Sequence, residues 1–71
     1  MNDDRELWRV TIGERSVACI MRSCCGGAEL QVVDGETIVL RELYPTKSDL
    51  YERARDVERA YRGKVHEASV R

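Results

Sequence analysis

The sequence predicts a two-layer α+β domain: a four-stranded antiparallel β-meander packed on one face by a single C-terminal α-helix, in the order β-β-β-β-α. Three observations predict it. Four segments between Leu7 and Leu43 alternate apolar and polar residues with period two, as half-buried strands do. Glycine-bearing turn sequences, Gly13-Glu14, Cys24-Cys25-Gly26-Gly27 and Asp34-Gly35, separate them. Beyond Tyr44-Pro45 the apolar spacing changes to that of a helix.

The first strand spans Leu7 to Ile12, with Trp8, Val10 and Ile12 on one face. Gly13-Glu14 is a tight turn, which pairs Val10 with Val17 and Trp8 with Cys19. The second strand runs from Arg15 to Ser23, with Val17, Cys19 and Met21 sharing the face of Trp8. The third covers Ala28 to Val33 and the fourth Glu36 to Leu43. A two-residue loop at Asp34-Gly35 would pair Leu30 with Val39 and mix polar with apolar residues on both faces. A three-residue loop, Val33-Asp34-Gly35 with Gly35 left-handed, instead pairs Leu30 with Ile38 and Ala28 with Leu40. The expected core face is therefore Trp8, Val10, Ile12, Val17, Cys19, Met21, Leu30, Val32, Ile38 and Leu40.

Pro45 lacks the amide hydrogen of a ladder residue and ends the fourth strand. Thr46 is suited to cap a helix, with Asp49 in the first turn to favour its dipole. Leu50, Ala54, Val57 and Tyr61 form a narrow apolar stripe, which places Tyr51 and Ala60 at its margins. Asp49–Arg53 and Glu58–Arg62 are favourable pairs four apart. The 71 residues make a single domain: 1–6 a flexible N-terminus, 7–44 the meander, 46–63 the helix, 64–71 a frayed helix end or tail. Gly63 can stop the helix, while Val65 and Ala68 fall near the stripe and would let it run on.

So short a chain buries only about 60% of the surface its unfolded form exposes. It leaves no room for a doubly wound sheet, a barrel or a separate substrate domain. Lys and Arg number 12 against 13 Asp and Glu, a formal net charge of −1. Domains that grip phosphates carry a basic excess, so this balance argues against nucleic acid. No apolar run approaches the roughly 20 residues of a membrane span. The polar start, Met1-Asn2-Asp3-Asp4-Arg5-Glu6, is no secretory signal. A cytoplasmic location is expected, where a reducing medium keeps Cys19, Cys24 and Cys25 as thiols.

One helix covers one face of the sheet. The other face reads Leu7, Arg9, Thr11, Ala18, Ile20, Arg22, Glu29, Gln31, Thr37, Val39, Arg41 and Leu43. Ala18, Ile20, Val39 and Leu43 are more apolar than a solvated face needs, although single exposed apolar residues are common. The expected function is a non-enzymatic interaction module, self-associating through that face or through an edge strand, with a homo-oligomer or a protein as partner. The alternative is nucleic-acid binding through Arg9, Arg22 and Arg41, since Arg suits guanine edges. Against it, Glu29 shares the face and no aromatic platform for single strands is present.

A further alternative is a Cys-based metal or redox site on Cys24, Cys25 and His66. Zinc ligands are ordinarily spaced C-x2–4-C. Adjacent cysteines fold poorly onto one ion, and no C-x-x-C is present for redox work. The plain reading makes Cys19 a core residue and the other two loop thiols. His66 is the only histidine and lies in the charged C-terminal stretch, so a solvated role fits it better than acid–base work. Glu36 and Glu42 lie near the two ends of one strand, with nothing to join them in a pocket. No enzyme activity and no cofactor are expected.

Overall fold

The computed structural model describes residues 4–24 and 26–69, with side chains for 4–23 and 26–63. The elements come in the predicted order: β1 (Arg5–Ile12), β2 (Arg15–Cys24), β3 (Gly27–Asp34), β4 (Thr37–Tyr44) and α1 (Lys47–Ser69). The strands form one antiparallel sheet in the order β1-β2-β3-β4, and α1 packs on one face of it. Arg5 and Glu6, expected in a flexible N-terminus, instead belong to β1 and pair with Met21 and Ile20. No described helix is long and apolar enough to cross a membrane.

The first hairpin has the predicted register, with Val10 opposite Val17 and Trp8 opposite Cys19. Gly13 opens its turn at a φ of 63°, and Gly35 opens the β3–β4 turn at 65°. In both turns the second residue, Glu14 or Glu36, keeps a negative φ, so glycine is needed at the first central position only.

The second register differs from expectation. The β3–β4 loop is the two-residue Gly35-Glu36, and Leu30 faces Glu42 rather than Ile38, while Ala28 faces Tyr44 rather than Leu40. Parity is restored inside β4: Val33 faces Ile38 and Val32 faces Leu40, leaving Val39 as an extra, unpaired residue. An extra residue was needed to bring Leu40 and Tyr44 to the helix side. It sits in the strand as a bulge because the tight turn has no room for it. Ile38 consequently leaves the core face to which the alternation assigned it, and it is exposed.

A matching shift occurs in β1 between Glu6 and Trp8. Leu7 is the unpaired residue there, and it packs against the core instead of joining the open face as expected. The core comprises Trp8, Val10, Val17, Cys19, Met21, Ala28, Leu30 and Val32 of the sheet with Leu50 and Ala54 of α1.

The start of α1 is capped as expected: Thr46 Oγ1 accepts from the Asp49 amide at 3.2 Å. Leu50 and Ala54 are buried, and Val57 and Tyr61 continue the stripe at the rim of the core. The buried Trp8 indole Nε1 donates to the Ala54 carbonyl at 2.9 Å, which fixes β1 to the N-terminal half of the helix. Glu58 pairs with Arg62 at 2.7 Å as predicted, whereas Arg53 reaches Glu42 of β4 at 3.1 Å instead of Asp49. Gly63 does not stop the helix, which continues to Ser69.

Candidate functional site

The face of the sheet away from α1 is built in rows set by strand pairing. Arg9, Ala18, Val33 and Ile38 lie side by side, then Glu6, Ile20, Gln31 and Arg41, then Arg22, Glu29 and Leu43. The middle of this face is closed over by its own side chains: Ala18 and Gln31 are buried, at 5% and 6% exposure. Gln31 Nε2 donates to Glu29 Oε1 at 2.7 Å, so its buried amide is satisfied.

Each of the three candidate nucleic-acid arginines meets a carboxylate. Arg9 donates to Glu6 and, at 2.7 Å, to Ser16 Oγ. Arg22 donates to Asp4 at 3.1 Å, and Arg41 lies 3.4 Å from Glu29. Exposed pairs of this kind are individually weak, at about 0–1 kcal/mol. Each of the three cations thus has an anion within 3.4 Å, which weakens the positive field it presents to solvent.

The four residues expected to form an interface are not brought together equally. Ala18 is buried and Ile20 half-buried within the face, whereas Val39 and Leu43 stand exposed on β4, at 48% and 69%. Ile38, missed by strict alternation, joins them at 46%. Ile38, Val39, Leu40 and Arg41 line a shallow depression of about 350 Å³ along this strand. The signal for it was present in the sequence. Three consecutive apolar residues, Ile38-Val39-Leu40, depart from strict apolar–polar alternation, and it is among them that the strand breaks step. β4 is also an edge strand, so one row of its backbone N–H and C=O groups faces outward.

A polar cluster ties β4 to α1. Tyr44 Oη donates to Glu42 Oε1 at 2.5 Å, and Arg53 Nε donates to the same oxygen at 3.1 Å. The Tyr44 hydroxyl, and then Arg53, hold the Glu42 carboxyl below its ordinary range, and Glu42 in turn pushes the Tyr44 phenol up. Both shifts lead away from neutrality, the reverse of what a general acid or base requires. This cluster is therefore a clamp between layers. An open cleft of about 390 Å³ is lined by Asp4, Arg5, Met21, Ser23 and Lys47.

Cys19 is a core residue, as the plain reading has it: the thiol is free and buried, and burial, helped by Glu58, pushes its pKa up to about 12. Such a thiol is no nucleophile at neutral pH. Among the described residues no group of His, Cys, Asp and Glu side chains is placed to hold a metal ion. Cys25 and the side chains of Cys24 and His66, the candidate ligands, lie outside the described residues. Tyr51, at the margin of the helix stripe, is exposed at 37%, and Ala60 is exposed too.

No protein-family model matches this chain, and neither a curated protein nor a solved structure matches it.

Proposed function

We propose that this protein is a non-enzymatic interaction module that associates with itself through the β4 edge. The observation that carries the reading is the concentration of exposed apolar side chains. Of the four large ones among the described residues, Ile38, Val39 and Leu43 lie on this single edge strand. An apolar edge with outward backbone groups is a liability unless something covers it. A second copy of the chain supplies both a strand and the matching apolar surface.

The magnitudes point to a modest affinity. Fully burying a Val, Leu or Ile side chain is worth about 1.5–3 kcal/mol, so finishing the burial of each half-exposed one adds about 1 kcal/mol. Strand pairing adds about 0.5–1.5 kcal/mol per hydrogen bond. Against this stands an association cost of roughly 4–15 kcal/mol. The outcome is a dimer that forms with rising concentration. The same reading places the domain in the cytoplasm, where the buried Cys19 thiol stays reduced.

Sedimentation velocity over a concentration series tests the proposal. The expected result is a reversible monomer–dimer equilibrium that Val39→Lys abolishes while the circular dichroism spectrum is unchanged. A monomer at every concentration would overturn it. Salt-dependent binding of duplex DNA by that monomer would favour the arginine face instead.

A further inference from the structure

We infer that the second copy pairs antiparallel along β4 with the two-fold axis between Ile38 and Val39. Ile38 then faces the second copy's Val39, Thr37 its Leu40, and Glu36 its Arg41. This register rests on the self-association just proposed, and the bulge in β4 selects it.

Residues directly opposite in an antiparallel pair lie on the same face of the sheet. Beyond the bulge, Leu40 and Tyr44 pack toward the helix core and Glu42 bonds to Arg53 of α1, while Arg41 and Leu43 take the open side. Before the bulge the parity is reversed. Thr37 shares a row with Asp34 and Val17 on the helix side, and Ile38 shares one with Val33 and Ala18 on the open side. A regular strand pairs with itself face to face only when one residue sits opposite its own copy. A strand whose parity flips at Val39 does so across the bulge only when the axis falls between two residues.

Charge chooses among the registers that remain. With the axis between Ile38 and Val39, Glu36 meets the second copy's Arg41 twice, and the exposed Ile38 and Val39 fill the centre. Moving the axis to lie between Val39 and Leu40 sets Ile38 against Arg41 and Thr37 against Glu42, with no opposite charges paired. Moving it one step further sets Leu40 against Arg41 and breaks the face match. Both charged partners are available. Glu36 is exposed in the turn, and the Arg41 side chain is 57% exposed, with Nε 3.4 Å from Glu29 and a guanidinium that has donors enough for a second carboxylate. The bulge, which on most edges discourages pairing, here sets the register in which the edge matches itself. The two sheets join into one, with both helices on the same side.

Charge reversal tests the register. Glu36→Arg alone and Arg41→Glu alone each put like charges opposite one another at both ends of the pairing, and each weakens the dimer about tenfold. Mixed in equal amounts, the two variants restore both opposite-charge pairs and form a one-to-one heterodimer at wild-type affinity. In a Cys24→Ser, Cys25→Ser background, an Ile38→Cys copy also forms a disulfide with a Val39→Cys copy. If wild-type protein dimerises but the mixture shows no recovery and no such disulfide, the register is overturned and self-association stands. If wild-type protein is monomeric at every concentration, both fall.

Discussion

The sheet has two edges, β1 and β4, and each carries one bulge. In β1 the extra residue is Leu7, which turns into the core beside Trp8 and leaves Glu6, Arg9 and Thr11 on the open side. In β4 the extra residue is Val39, and the break in step swings Ile38 out of the core face into solvent. One irregularity therefore closes the first edge and opens the last. The two edges are also fastened differently. Trp8 holds β1 through a buried indole–carbonyl bond to Ala54, whereas the half-exposed Glu42, Tyr44 and Arg53 hold β4. A bulge is thus neutral in itself, and what it does is decided by which residue it displaces.

The difference breaks most visibly at Trp8. Trp8→Ala removes the largest buried side chain of β1 and the bond to Ala54, at a cost of about 3–5 kcal/mol. A single core in a domain this small supplies roughly that much net stability. The variant is expected to be unfolded by circular dichroism at room temperature. Trp8→Phe keeps most of the packing and loses the hydrogen bond, for roughly 1 kcal/mol in urea titrations. On the opposite edge, Leu43→Ala shifts the urea midpoint of the monomer by no more than about 0.5 kcal/mol. Equal losses at Trp8 and Leu43 would mean that the two edges are not distinct.

Two glycines give the next largest effects, of opposite sign. A Cβ on Gly27 would run into the Tyr44 carbonyl oxygen, where β3 starts beside the end of β4. Gly27→Ala therefore costs about 1–3 kcal/mol. Gly63 lies within α1 with open space where a Cβ would go. Gly63→Ala raises stability by up to about 1 kcal/mol, because alanine loses less backbone freedom in a helix. Thermal melts read both. Val39→Lys sharpens the comparison further, since a surface substitution on the open edge changes monomer stability by less than about 0.5 kcal/mol while abolishing dimerisation.

How much of this was legible in the residues differs between the same two edges. The order of elements, the Thr46 cap, the Trp8–Cys19 and Val10–Val17 pairs and the core place of Cys19 follow from period and turn chemistry alone. Alternation called for an extra residue and set it in a Val33-Asp34-Gly35 loop, whereas the structure has a two-residue Gly35-Glu36 loop and the extra residue in β4 at Val39. It could not decide between these places, because a bulge in the loop and a bulge in the strand satisfy the same alternation. That ambiguity hid the exposed site: assigning the extra residue to the loop puts Ile38 in the core. Leu7 was misplaced for the same reason, since Leu7-Trp8 breaks alternation without marking which member bulges. Buried Gln31 and the Glu42–Tyr44–Arg53 clamp were out of reach, as both depend on which long side chains lie across neighbouring strands and the helix.

The smallest effect separates the two fastenings by pH, because only the one on β4 titrates. Glu42 is held below its ordinary pKa of 4.5, first by the Tyr44 hydroxyl and then by Arg53. On acidification the unfolded chain takes up this proton before the folded one. The contribution of the clamp is therefore full above the unfolded value and lost as pH falls through the folded value. Tyr44 is raised from 10.0 by the same carboxylate, so its contribution is full below that and lost as pH rises through the folded value. Glu42→Gln removes both arms and flattens the urea midpoint against pH at each end. The change is under about 1 kcal/mol, because the pair is partly solvated. The alkaline loss that persists belongs to Cys19, whose thiol is moved from 9.0 to about 12 and resists ionisation until the core opens. The Trp8 fastening carries no proton. Trp8→Phe accordingly lowers the midpoint equally at all pH values, and a pH-dependent loss in that variant would show that the two fastenings are coupled through α1.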